Sequence, residues 1–223
     1  MNIELIQNSR NKKPLSLKGS VAVIGNSDLL LNGKAGKDID RYDHVFRFNL
    51  ASTDLAHKES VGSKSDFYFL SPMVTTYRQQ EKSRKKCEPY SKDQIDSFRM
   101  ICRKSQVICY EGHTKGILPF NKRPYIITAE LNDINYIFYK ILGHRNWHFS
   151  EDHNPRNGIK LIACILKSGI KPNLYGFDIE ERGNNNHYFD DEIQKDYPDW
   201  GHMPSIEYQL LKELSDKKLV VLN

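Results

Sequence analysis

Three groups of polar residues have types and spacing that suit chemistry on an anionic substrate. The first is Gly25-Asn26-Ser27, which directly follows the apolar run from Val21 to Ile24. Glycine lets the backbone approach a ligand closely, and Asn and Ser offer hydrogen bonds to phosphate or ribose. The triplet carries neither the P-loop pattern nor the GxGxxG fingerprint. Taken alone, it is more often an ordinary structural turn.

The second group is Asn157-Gly158, which opens an amphipathic segment that ends at Ser168-Gly169. The backbone N–H groups and the dipole at the start of a helix favour an anion. An Asn that merely caps the helix is the common alternative.

The third group contains His187, His202 and Glu207, and Glu207 follows His202 by five positions. A histidine near its unperturbed pKa of about 6.5 is suited to moving a proton at neutral pH. The sequence has no HExxH, no CxxC pair and no DxD triplet of the kind that holds a divalent metal on a sugar nucleotide, so we predict chemistry without a metal or other cofactor. Asp190-Asp191-Glu192 keeps a metal open as an alternative.

Short apolar runs and helical patterns must position these residues. We predict strands over 21–24, 45–49, 66–70, 106–110, 172–178 and 219–222, and helices over 92–103, 129–142, 158–167 and 204–217. Residues 28–37 look like a loop. This order predicts an α/β protein with a mainly parallel sheet flanked by helices. We expect an N-terminal extension over 1–18 and a single domain over 19–223.

Composition excludes several classes of protein. With 223 residues, 39% hydrophobic and 27% charged, the chain is neither disordered nor collagen-like. No run reaches the roughly 18–20 apolar residues of a membrane span. The net charge of +5 suits an anionic small molecule as well as a nucleic acid. No RRM, KH, helix-turn-helix or zinc-finger pattern is visible, so we predict no nucleic-acid partner.

The order of the motifs carries more information than any one of them. The run from Val21 through Asp40, continued by 45–51 and 61–65, resembles the large sialylmotif of the eukaryotic-type sialyltransferases, glycosyltransferase family 29. Residues 154–158 through 175–178 resemble the small sialylmotif. His187-Tyr188-Phe189-Asp190 is similar to the third motif, and His202 with Glu207 to the very small one.

This resemblance implies a single-domain, GT-A-like (Rossmann-type) enzyme that moves sialic acid from CMP-sialic acid to a hydroxyl of a glycan acceptor, with inversion and without metal. It implies that His202 is the base, that His187 assists the leaving phosphate and that Glu207 orients His202 or the acceptor. The resemblance implies a donor site built from Gly25, Asn26, Ser27, Asn49, Asn157, Gly158, Tyr175, Gly176 and Tyr188. The acceptor is expected over 74–125 and 144–153, with Tyr77, Tyr90, Trp147 and His148 as candidates for stacking on a sugar.

Two departures from the family pattern are informative. Arg156 and Asn157 replace the pair of hydroxyl residues that usually follows Pro in the small motif. The places where secreted members carry a disulfide, around Ser20-Val21 and Ser168-Gly169, hold no cysteine. The N-terminus also has no apolar core of signal-peptide length. We therefore expect a cytoplasmic bacterial enzyme of lipopolysaccharide or capsule biosynthesis. A location at the inner face of the membrane, peripheral membrane contact and a lipid-linked acceptor stay open.

Two alternatives remain. A CMP-Kdo-dependent Kdo transferase that acts on a bacterial surface glycan would keep the same fold and the same CMP handle. A non-catalytic protein would bind a nucleotide or glycan, or bind nucleic acid through the basic run 82–86.

Overall fold

The computed structural model describes residues 1–51, 53, 56–75, 92–114, 123–177 and 204–223. The strands are β1 Asn2–Asn8, β2 Pro14–Ser16, β3 Val21–Ile24, β4 His44–Phe48, β5 Phe67–Phe69, β6 Gln106–Tyr110, β7 Tyr125–Ile127, β8 Asn173–Tyr175 and β9 Val221–Leu222. The helices are α1 Gly36–Ile39, α2 Lys58–Val61, α3 Pro72–Thr75, α4 Lys92–Lys104, α5 Leu131–Leu142, α6 Asn157–Lys167 and α7 Pro204–Asp216.

The described strands form one sheet in the order β2-β1-β7-β6-β5-β4-β3-β8-β9. From β7 to β9 every neighbouring pair is parallel, and only β1 pairs antiparallel, with β2 and β7. The prediction of a mainly parallel α/β sheet is therefore confirmed. All six predicted strands and all four predicted helices are present, with ends shifted by at most three residues.

Helices cover both faces of the sheet. One apolar core joins α5, α6 and α7 to β1, β3–β8, and the six-residue run 161–166 of α6 is buried throughout. A second core on the opposite face holds Leu30, Ile39, Val61 and Phe98 from the shorter helices. A helix that is apolar nearly all round belongs at the centre of a protein. The apolar run therefore places α6 in the core, beside the sheet.

Two short regions differ from the sequence-based expectation. Residues 1–18 contain β1 and β2, and Ile3 and Ile6 are fully buried in the core that α6 shares. Within 28–37, expected as a loop, a 3-10 helix spans Asp28–Asn32 and α1 begins at Gly36. Helices of four or five residues leave too few positions for a periodic pattern, which is why the sequence did not reveal them.

Candidate functional site

The strand order creates a switch point beside β3. From β3 the chain adds β4, β5, β6 and β7 on one side, and then β8 on the other side of β3. Ligands of open α/β sheets bind at the carboxyl ends of the strands at such a point. Gly25 follows β3 and Gly176 follows β8, so both glycines lie at this place.

The two glycines come into close backbone contact. Gly25 N donates a 2.7 Å hydrogen bond to Tyr175 O, and Ser27 N donates one of 3.3 Å to Gly176 O. A Cβ on Gly25 would lie 2.2 Å from Gly176 O. Gly176 has φ +65°, and a Cβ there would lie 2.5 Å from Leu30 Cδ1. Both positions therefore need glycine, which leaves an open turn at the strand ends.

The polar side chains of this turn have different tasks. Ser27 Oγ accepts a 3.2 Å hydrogen bond from Leu29 N and caps the short 3-10 helix. Asn26 Oδ1 is buried and has no hydrogen-bond partner within the described part of the chain. A buried oxygen left without a donor is costly, so Asn26 is the member of the turn that a ligand donor would satisfy.

Tyr175 contributes its backbone rather than its ring. Its carbonyl accepts from Gly25 N, whereas its hydroxyl lies 3.2 Å from the Tyr42 hydroxyl, with the two rings edge to face. Burial, together with the bond to Tyr42, raises the pKa of the Tyr175 phenol above its usual value.

Asn49 stands at the carboxyl end of β4, next to β3. Its φ is +52°, in the left-handed region that Asn tolerates better than most residues. Asn49 N donates to Phe69 O at 3.0 Å, and Asn49 Oδ1 accepts from Ser71 N at 3.0 Å. The side chain thus ties β4 to the residues after β5, and its Nδ2 has no partner among the described residues.

The start of α6 lies beside the same turn. A Cβ on Gly158 would lie 2.8 Å from Phe177 Cε1, so glycine allows the helix to approach the residue that follows Gly176. Phe177 also packs edge to face on Phe48, with 6.3 Å between the ring centroids. The residues that follow β3 and β8 form one wall of a site, and the first N–H groups of α6 form the neighbouring wall.

Asn157 is held by a side-chain network that the sequence did not predict. The Tyr110 hydroxyl donates a 2.7 Å hydrogen bond to Asn157 Oδ1, and Lys160 Nζ donates one of 3.2 Å to the Tyr110 oxygen. Lys160 Nζ also lies 5.2 Å from the centre of the Tyr110 ring, within cation–π range. The available signal was Lys160 itself, a lone charge within the otherwise apolar run 159–166.

Glu207 binds Arg156. Its side chain is 1% exposed; Oε1 accepts from Arg156 N at 2.7 Å and Oε2 accepts from Arg156 Nε. The guanidinium carbon lies 5.7 Å from the centre of the Tyr208 ring. Burial lowers the pKa of Arg156, but the charge of Glu207 more than offsets this, and the pKa lies above its usual value. Glu207 therefore holds the first turn of α7 against the start of α6.

Three predicted site residues, His187, Tyr188 and His202, lie outside the described residues, as do Tyr77, Tyr90 and the basic run 82–86. The predicted orientation of His202 by Glu207 thus stays a prediction. Along the chain, His202 lies two positions before Pro204, the residue at which α7 begins. Within the described ranges, no group of three His, Cys, Asp or Glu side chains could hold a metal ion. The predicted independence from metal also stays a prediction.

A cleft of about 580 Å³ opens next to Lys160. Its walls are Ala129–Asn132 at the end of β7 and the start of α5, together with 148–151, Asn154 and Lys160. Of the aromatic and imidazole side chains expected near the acceptor, His148 lines this cleft. Trp147 instead donates from Nε1 to Glu213 Oε2 at 2.5 Å.

The fold and this site define a doubly wound α/β domain whose switch point and helix N-terminus have the geometry that such sheets use for phosphorylated ligands. The family model for glycosyltransferase family 29 (sialyltransferase) matches residues 4–219, and the chain belongs to that family. Among the helices in the described part of the chain, none is long and apolar enough to cross a membrane.

Individual relatives are more distant. The chain is 26% identical over 194 residues to CMP-N-acetylneuraminate-beta-galactosamide-alpha-2,3-sialyltransferase 1 of Gallus gallus, covering 81% of this chain and 52% of that protein. It is 24% identical over 212 residues to a beta-1,6-galactosyltransferase of Arabidopsis thaliana, covering 88% and 51%. The chain thus spans about half the length of these relatives.

Solved structures share the fold. A crystal structure of a mammalian sialyltransferase matches with a TM-score of 0.57 at 20% identity, covering 92% of this chain and 68% of that one. The monofunctional alpha-2,3-sialyltransferase Cst-I from Campylobacter jejuni matches with a TM-score of 0.56 at 17% identity, covering 96% and 78%.

Proposed function

We propose that this chain transfers sialic acid from CMP-sialic acid to a hydroxyl of a glycan acceptor, with inversion, without metal and in a GT-A-like fold. The observation that carries the proposal is the contact between Gly25, after β3, and Gly176, after β8. This contact lies beside the first turn of α6. This pair of walls can receive a nucleoside and its phosphate together. Family membership supports glycosyl transfer as the reaction.

In the proposed donor site, Asn26 and Asn49 supply the polar contacts to the nucleoside. The buried Oδ1 of Asn26 accepts from the ligand, and Nδ2 of Asn49 donates to it. The phosphate lies at the start of α6, near Asn157 and Gly158, where backbone N–H groups favour negative charge.

The proposed mechanism needs two histidines. His202 takes the proton from the acceptor hydroxyl as its oxygen attacks the anomeric carbon, while the bond from that carbon to the CMP phosphate oxygen breaks. The sugar passes through an oxocarbenium-like state, and the developing charge collects on the phosphate. His187 and the start of α6 stabilise that charge, and the imidazole and helix N–H groups supply electrostatic help of a kind that needs no metal.

The acceptor is proposed to lie in the cleft beside Lys160. Its lining offers donors on Lys160 and Asn132 and acceptors on Glu130 and Glu151. A mixture of both signs suits the many hydroxyls of a sugar better than a single anionic group. The exposed imidazole ring of His148 at the same cleft can pack against a sugar ring.

The donor sugar is the point on which the CMP-Kdo alternative differs. One relative is a galactosyltransferase by name, so membership of the family leaves the sugar open. The contacts proposed here are to the nucleotide and phosphate, which CMP-sialic acid and CMP-Kdo share. The test must therefore compare both donors.

We would measure binding of CMP, CMP-sialic acid and CMP-Kdo by calorimetry, and CMP release from each donor in the presence of a chelator. We expect release from CMP-sialic acid, reduced about 10²–10⁴-fold by His202→Ala, the usual scale of general acid–base catalysis. His57→Ala, at the start of α2, is the matched control and should keep wild-type turnover. Selective release from CMP-Kdo would change the sugar, and failure to bind any CMP compound would overturn the proposal.

A cytoplasmic location is part of the proposal. The described cysteines Cys102, Cys109 and Cys164 are buried free thiols, and burial raises the pKa of each to about 12. Thiol titration of the protein unfolded without reductant should count four free thiols. Fewer would indicate a disulfide and a different compartment.

A further inference from the structure

The side-chain amide of Asn157, at the start of α6, has two possible orientations towards a ligand. An Asn amide can turn either its oxygen or its nitrogen towards a ligand, and only the nitrogen can donate to a phosphate. The family pattern that this chain resembles has hydroxyl residues here, which donate without such a choice. Something must therefore hold the amide of Asn157 in the donating orientation.

The hydrogen bonds around Tyr110 have a fixed direction. The Lys160 ammonium has donors and no acceptor, so at 3.2 Å it donates to the Tyr110 oxygen. The phenol proton is then directed to Asn157 Oδ1, 2.7 Å away. Burial raises the pKa of Tyr110, which keeps the phenol protonated. Burial lowers the pKa of Lys160 overall, whereas the charge of Glu207 and the ring face under Nζ favour the ammonium.

The amide oxygen of Asn157 is therefore occupied, and its nitrogen is left over. Nδ2 has no hydrogen-bond partner within the described ranges, and it belongs to the first residue of an eleven-residue helix. Its two N–H donors add to the backbone donors of that turn.

Lys160 is difficult to explain as a packing residue. Its neighbours Ile159, Leu161 and Ile162 are buried, and Nζ forms no direct ion pair with a carboxylate of the described residues. The charge of Glu207 favours the ammonium, but burial outweighs it and lowers the pKa of Lys160 overall. A partly buried ammonium whose desolvation is not offset costs free energy that an apolar side chain at this position would not. A role in directing the network accounts for its presence.

We propose that Lys160 and Tyr110 are positioning residues, which orient the Asn157 amide so that Nδ2 donates to the phosphate of the nucleotide-sugar donor. This inference rests on the proposed function, because it needs the phosphate to bind at the start of α6. In this proposal a relay of three side chains, Lys160, Tyr110 and Asn157, takes the place of the two hydroxyl residues of the small sialylmotif.

A double-mutant cycle separates this role from a structural one. Tyr110→Phe should raise the donor KM and the Kd for CMP about tenfold, the effect of one hydrogen bond to a charged group, with a much smaller change in kcat. In the Asn157→Thr background the hydroxyl donates by itself, so the same Tyr110→Phe change should cost less than about twofold. Lys160→Met should follow the same pattern, with a smaller effect in the native background.

The controls are Tyr136→Phe on α5 and Lys167→Met in the last turn of α6, both at exposed positions, and neither should alter the Kd for CMP. Equal costs of Tyr110→Phe in the two backgrounds would make Tyr110 structural and overturn the relay. If Tyr110→Phe does not fold, Asn157→Asp serves instead, since aspartate still accepts from Tyr110 but cannot donate. We expect it to abolish CMP binding, and wild-type binding would overturn the proposal. Failure of the wild-type protein to bind CMP is a separate result, which overturns the proposed function itself.

Discussion

The two walls of the site are built in different ways. At the ends of β3 and β8 the wall is backbone: Gly25 and Gly176 meet so closely that a single methyl group would collide with a carbonyl oxygen. At the start of α6 the wall depends on side chains that come from other parts of the chain. Tyr110 precedes Asn157 by 47 positions, and Glu207 follows Arg156 by 51.

The difference indicates which parts of such a site can change in evolution. A backbone contact tolerates almost no substitution, because no other residue fits the space that glycine leaves. A wall made of side chains can exchange one set of partners for another. In this chain Arg156 and Asn157 stand where the small sialylmotif has hydroxyl residues. Arg156 binds Glu207 and Asn157 binds Tyr110, both from distant parts of the chain.

Gly25→Ala is the change with the largest expected effect on the backbone wall. The added Cβ would lie 2.2 Å from Gly176 O, and a backbone oxygen cannot move aside as a flexible side chain can. We expect loss of CMP binding by calorimetry and a loss of about 3 kcal/mol or more in the free energy of unfolding. Gly33→Ala is the control, since its Cβ would meet nothing closer than Leu30 O at 3.8 Å. Similar behaviour of the two variants would contradict the close-contact argument.

Glu207→Gln tests the side-chain wall. It removes the negative charge that Arg156 faces. The NH2 group that replaces one carboxylate oxygen cannot accept a hydrogen bond from Arg156. We expect a loss of about 2–3 kcal/mol in the free energy of unfolding, below the cost for a fully buried pair because the Arg156 side chain is partly exposed. Urea denaturation measures this change.

Glu59→Gln is the matched control for this variant, because Glu59 forms an exposed pair with Lys34 at 3.1 Å. Such a pair contributes about 0–1 kcal/mol. Arg156→Ser should cost at least as much as Glu207→Gln, because it leaves the buried Glu207 carboxylate with the backbone N–H of residue 156 but without a counter-charge. A Glu207→Gln protein as stable as the Glu59→Gln protein would show that the pair does not hold α7 to α6.

Asn49 lies between the two cases, because it is a side chain in a position that backbone geometry defines. Asn49→Ala should lose about 2 kcal/mol in the free energy of unfolding, from the left-handed φ and from the bond to Ser71 N together. Asn49→Gly removes the first cost and should lose only about 1 kcal/mol. Equal losses in urea denaturation would contradict the part assigned to the backbone. Both variants should weaken CMP binding, because both lack Nδ2.

The same contrast explains what the sequence could predict. The strand-end wall was predictable, because an apolar run followed by Gly25-Asn26-Ser27 is a local pattern that places a turn at the edge of a parallel sheet. Six of the nine described strands and the longer helices were predictable for the same reason. Each carries its period within ten or so adjacent residues.

The side-chain wall was only half predictable. Asn157 and Glu207 were recognised as candidates, but their partners Tyr110 and Arg156 depend on how distant segments pack. Glu207 was expected to orient His202 or the acceptor, and the described residues show it bound to Arg156. Residue spacing within a motif does not reveal such a pairing, because it forms only when α6 and α7 lie side by side.

The smallest effect is expected from Glu213, further along α7 and away from the site. Burial raises the pKa of Glu213, but hydrogen bonds from His144 and Trp147 and the charge of Lys217 outweigh this and lower it overall. A carboxyl whose folded-state pKa is lowered stabilises the protein above its unfolded pKa, and the contribution disappears as the pH falls through the folded-state value. Glu213→Gln should therefore cost about 1 kcal/mol at pH 7 in urea denaturation, and the gap to wild type should close below about pH 4. A gap that does not change with pH would assign the effect to packing and not to charge. A closing gap would assign the effect to the charge of Glu213, which fastens α7 to the segment after α5 through His144 and Trp147.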